Sequence, residues 1–101
     1  MLLADTPAVA DIRPLRAHCS GDVVVPGERV WPDAVAAWGL SEDEAPAAVV
    51  FPAGDYDVVA VMGFTRYLGL DVVLEGDELP ADPSRAVLVH STSARAPWSR
   101  W

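Results

Sequence analysis

The chain has 101 residues, is 51% hydrophobic and carries a formal net charge of -8, which suits one modest globular domain and excludes a disordered chain. All seven basic residues are arginine, too few and too scattered for a nucleic-acid surface, and the single Cys19 excludes an internal disulfide or a multi-cysteine metal site. No apolar run approaches the roughly 20 residues of a membrane span, so a soluble cytoplasmic protein is expected. Residues 1–10 (MLLADTPAVA) lack the basic start of a signal peptide and read as a loose leader. Asp11 to Cys19 predicts a short helix with Pro14 in its first turn. Ser20-Gly21-Asp22 marks a turn, and Val23-Val24-Val25 is a short strand closed by Pro26-Gly27. Pro32 to Trp38 reads as a helix with Gly39 past its end, and Ser41 to Pro46 as an acidic connector.

The stretch from Ala47 to Leu74 is the most structured in pattern. An apolar strand (Ala47 to Phe51) stops at Pro52, a helix follows from about Asp55 to Leu68, Gly69 ends it, and a second apolar strand runs from Leu70 to Leu74. Val58, Val61, Met62 and Leu68 are expected on the packed face of the helix, with Gly54 or Asp55 capping its start. Strands apolar throughout and joined through a helix predict parallel pairing with a right-handed crossover. A polar loop (Glu75 to Ser84) leads to a third strand, Arg85 to His90, before a tail without periodicity. The fold class is therefore α+β, a small strand–helix–strand unit with about three core strands.

Several pieces together resemble the N-terminal part of the FAD-linked oxidases, the berberine-bridge-enzyme-like and vanillyl-alcohol-oxidase-like flavoproteins. Gly21-Asp22-Val23-Val24-Val25-Pro26-Gly27-Glu28 is similar to the "G-x-V-V-x-P-G-D" opening of their FAD domain. Trp38 falls at the end of the short helix that follows, Pro46 through Pro52 resembles the "P-A-A-V-V-x-P" strand, and Asp57-Val58, Phe64 and Gly69-Leu70 fall on the next helix pattern. The likeness runs from about Ile12 to Ser93. It implies a leader (1–10), a partial FAD-binding-type domain (11–93) and a tail (94–101). It also implies FAD as the cofactor, with Glu75, Gly76 and Asp77 at the position of the loop whose backbone amides cradle the pyrophosphate.

That loop departs from the family pattern. It keeps one glycine, lacks the histidine that in many members anchors the flavin, and places the carboxylates of Glu75, Asp77 and Glu78 where two phosphates would bind. The chain is also much shorter than such oxidases, as expected of a truncated relative. No catalytic residue is assigned, and weak or absent flavin binding is expected. The alternative reading is a non-catalytic, acidic protein-interaction module that keeps the fold and contacts itself or another chain. Other constellations have ordinary explanations: His18-Cys19 as a helix end, His90 with Asp71 or Asp77 as strand and loop residues, Asp77, Glu78 and Asp82 as a solvated acidic loop, and Trp38 as core. Trp98 and Trp101 suggest a surface left uncovered in the tail.

Overall fold

The structure is a computed structural model, and it describes residues 12–40, 46–80 and 82–91. The expected leader, the acidic connector apart from Pro46, and the tail with Trp98 and Trp101 lie outside the described residues.

Four strands form one mixed sheet: β1 (Asp22–Val24), β2 (Ala48–Phe51), β3 (Asp71–Leu74) and β4 (Ala86–Val89), in the spatial order β1-β2-β4-β3. β2, β4 and β3 run parallel, and β1 pairs antiparallel with the outer side of β2. Two α-helices, α1 (Trp31–Ala36) and α2 (Asp55–Leu68), and short 3-10 turns at Arg13–His18 and Pro83–Arg85 complete the described chain. The predicted fold class holds, with three parallel strands and one antiparallel strand at the margin. The helical connection joins β2 to β3 across two strand positions, and β4 fills the gap between them.

Strand side chains alternate between the two sheet faces, and each face is covered. On one side Val24, Val49, Phe51, Val73, Ala86 and Leu88 pack against Trp31, Ala34 and Val35 of α1, with Trp38 and Leu79 at the margin. On the other side Val23, Ala48, Val50, Val87 and Val89 meet Ile12, Leu15, Val61 and Leu70. β2 and β4 are buried at every position, which is why both read as continuous apolar runs.

Helix α2 ends as its sequence implies. Gly69 adopts a left-handed conformation (φ 71°), and its N–H and that of Leu70 bond back to carbonyls of the last turn. The packed face of α2 differs from expectation. Val61 and Thr65 are buried while Met62 is 46% exposed. Thr65 can be buried because its Oγ1 donates to the Val61 carbonyl (2.8 Å), leaving no hydroxyl proton unpaired. The helix is therefore rotated so that Met62 joins Tyr56, Val59 and Tyr67 among its exposed side chains.

The outer margin of β1 is covered by side chains. Arg16 donates from Nε and Nη2 to the Val23 carbonyl (2.9 and 2.7 Å), Glu28 accepts the Val25 N–H (3.0 Å), and the two side chains pair with each other. At the opposite margin, Asp77 accepts the Leu74 N–H (3.3 Å) and Arg85 donates to the Gly69 carbonyl (3.0 Å).

Candidate functional site

The loop after β3 is where the resemblance places a pyrophosphate. Leu74 to Asp77 form a tight turn, with Gly76 at φ 99° as the residue that reverses the chain. The turn closes on itself. The Asp77 N–H donates to the Leu74 carbonyl (3.0 Å), and the Glu75 N–H donates to the Val89 carbonyl (3.0 Å). Asp77 Oδ2 accepts the Leu74 N–H. An anion nest needs several adjacent amides aimed outward and unpaired. Here the amides of Leu74, Glu75 and Asp77 are already bonded, and the carboxylates of Glu75, Asp77 and Glu78 are exposed around them. These residues do not fit a dinucleotide pyrophosphate.

The structure does bring Glu75 together with His90, a pairing the sequence did not single out. Glu75 Oε1 accepts the Ser91 N–H (2.7 Å) and lies 3.6 Å from His90 Nδ1. That separation is close enough for electrostatic attraction but long for a strong hydrogen bond. The imidazole is stacked on Phe51 (centroids 4.3 Å apart, planes at 12°) and meets Trp38 edge-on (5.0 Å, 61°). It sits where β4 ends, between the ends of β2 and β3. Burial pushes the His90 pKa down, and Glu75 only partly offsets this, so the neutral ring is favoured. With Nδ1 turned to the carboxylate, Nε2 is left as the acceptor; it and Trp38 Nε1 are buried without partners among the described residues. The pair resembles the base and orienting carboxylate of a catalytic triad, but the position a nucleophile would take, at Nε2, holds no hydroxyl or thiol among the described residues. Neither Asp71 nor Asp77 is the carboxylate that faces His90.

Asp57 bonds its carboxylate entirely to main chain. It is 3% exposed and accepts three backbone N–H groups: Ser20 at Oδ1 (2.9 Å), and Gly21 (2.7 Å) and Ala53 (2.8 Å) at Oδ2. Burial alone would raise its pKa, but the three amides outweigh burial and hold the carboxyl below its ordinary value. Gly54, at the start of α2, makes no side-chain cap, and Asp57 in the first turn reaches back out of the helix to the Ala53 N–H. The same carboxylate ties the Ser20-Gly21 turn to the β2–α2 junction. Gly21 is pressed so closely against this junction that a Cβ would overlap the Phe51 carbonyl oxygen and stand 2.7 Å from the Ala53 nitrogen. The signal available in the sequence was an Asp in the first turn of the helix, which the sequence alone placed only in the family helix pattern.

Other candidates separate. Burial and the neighbouring Asp57 push the Cys19 thiol up to about 11, the reverse of an activated nucleophile, and its Sγ lies 3.9 Å from the Asp57 carbonyl. Among the described residues no group of three or more His, Cys, Asp or Glu side chains is placed to hold a metal ion, so Asp77, Glu78 and Asp82 do not converge; Asp82 instead accepts from Ser84. An open cleft of about 480 Å³ runs along β1 between Arg16, Asp22, Glu28 and Arg29, with Arg16 already committed to Val23 and Glu28. No helix among the described residues is long and apolar enough to cross a membrane. No protein-family model matches the chain, and no curated protein or solved structure matches it.

Proposed function

We propose that this chain is a non-catalytic protein-interaction module built on the scaffold of an FAD-linked-oxidase FAD-binding subdomain. The observation that carries this reading is the turn at Leu74–Asp77, whose Leu74, Glu75 and Asp77 amides are already bonded and whose carboxylates stand where the resemblance would put phosphate. Support for the scaffold comes from the residues of the resemblance themselves. Gly21 opens its first segment and Asp57 its helix, and these two are joined by a 2.7 Å bond from the Gly21 N–H to Asp57 Oδ2. A free thiol at Cys19 suits a reducing compartment, and we place the protein in the cytoplasm.

A second reading keeps FAD as the ligand of the same scaffold, and the order of the motifs from Gly21 to Leu70 favours it. Titration of FAD into the purified chain, followed by flavin fluorescence, separates the two. The interaction reading expects no binding tighter than about 1 μM, or roughly −8 kcal/mol. It also expects Asp77→Gly/Glu78→Gly to strengthen any residual binding by removing charge and freeing backbone. Binding of the parent chain tighter than micromolar returns the function to a flavoprotein.

A further inference from the structure

The outward side of α2 carries an arrangement the fold itself does not use. Tyr56 is 88% exposed, Val59 67% and Tyr67 86%, and Gly63 lies between them with open space where a Cβ would stand. At 100° per residue, positions 56, 59, 63 and 67 fall on one stripe, and position 67 returns almost to the angle of 56 after three turns. Asp55 and Arg66 flank the stripe at its two ends, also three turns apart, and both are exposed. The pattern is symmetric about Val61: acid and tyrosine at one end, base and tyrosine at the other, a valine and a glycine equally spaced from the centre.

We propose that this stripe is the interface of a two-fold homodimer in which α2 packs antiparallel against α2 of a second copy. The charges choose both the occupant and the direction. Parallel pairing in register brings the two acidic ends together and the two basic ends together, and sets Val59 against the partner's Val59 rather than against the partner's Gly63. Antiparallel pairing sets each Asp55 beside the partner's Arg66, lays Arg66 near the partner's Tyr56 ring, and inserts Val59 into the notch at the partner's Gly63. The stripe is thus complementary to itself in one orientation only. A face one helix wide gives an interface below about 1,200 Å², which corresponds to a dimer in reversible exchange. The proposal deepens the interaction reading above but fails separately from it, because sedimentation reports self-association and the FAD titration does not.

The test is sedimentation equilibrium of the full chain across the micromolar range. At about 0.15 M salt the screening length is about 8 Å, which damps the mutual repulsion of two acidic chains but leaves contact pairs. A monomer–dimer equilibrium is expected. Arg66→Glu should weaken it at least about tenfold, and Asp55→Arg/Arg66→Glu should restore it to within about threefold of the parent. Val59→Asp and Gly63→Leu should each abolish it. All four sites are exposed, and circular dichroism with a thermal midpoint shows whether each variant stays folded. A chain monomeric throughout overturns the proposal, whether residues 92–101 or another protein then covers the stripe. A dimer insensitive to Val59→Asp, or a double charge swap that restores nothing, overturns it as well.

Discussion

Asp57 and Glu75 follow the carboxyl ends of two parallel strands, β2 and β3, that flank β4, yet the protein uses them in opposite ways. Asp57 follows β2, is buried, and spends both oxygens on three backbone amides. Glu75 follows β3, is half exposed, takes one amide and faces a buried imidazole. The first junction is closed by hydrogen bonds to main chain, which no single side-chain movement can replace. The second is held by one amide and a 3.6 Å electrostatic contact, so it can rearrange without disturbing the sheet. The difference teaches that a carboxylate after a parallel strand is not in itself a ligand site. What it does depends on how many amides the next segment leaves unpaired.

The sharpest way to break this contrast is Asp57→Ala. It strands three amides, and with unsatisfied buried donors costing about 1–3 kcal/mol each and some recovery by water, a loss of about 3–5 kcal/mol is expected in urea unfolding. Glu75→Ala in the same assay should cost about 1 kcal/mol or less. Equal losses would erase the distinction. Gly21→Ala is expected to cost about 3 kcal/mol or more, because its new methyl meets backbone rather than a movable side chain. Val61→Ala should cost about 1–3 kcal/mol, whereas Met62→Ala, at an exposed site, should fall within about 0.5 kcal/mol of the parent.

The smallest effect is in the pH dependence. His90 has a folded pKa below its ordinary value, so between the two values the unfolded chain binds more protons than the folded one. Stability should therefore be complete above about pH 6.5 and decline as the pH falls below it. His90→Phe should remove that decline. Glu75→Gln should deepen it, since the carboxylate is what holds the imidazole's proton affinity up. Asp57, also depressed, adds a separate loss only once the pH falls below its ordinary 3.8. Chemical denaturation across this range resolves the two windows.

Much of this architecture was legible in the residues. The strands at Val23, Ala47–Phe51 and Leu70–Leu74, the helix ending at Gly69, and the parallel pairing all follow from apolar runs and their punctuation. The face of α2 was not, because periodicity counts apolar residues and two of the buried positions are polar. Asp57 and Thr65 go inside because each satisfies its own hydrogen bonds, one on amides from a distant turn and the other on the helix carbonyls. Met62 was assigned inward because it falls four residues after Val58, on the same apolar stripe. The Glu75–His90 pair was equally invisible, since the two residues meet only when β4 is placed beside β3, and nothing in the spacing of the strands says that β4 lies between β2 and β3.

The side chains along the two margins of the sheet bear on how the protein behaves when crowded. Strand edges with open amides and carbonyls template the addition of further strands, and a sheet of apolar β2 and β4 would be a dangerous core to extend. A foreign strand approaching β1 must first displace Arg16 from the Val23 carbonyl and Glu28 from the Val25 amide, and one approaching β3 meets Asp77 and Arg85. Loss of Arg16 should therefore show itself less in the melting temperature than in the lag time before fibrillar aggregates form on prolonged incubation.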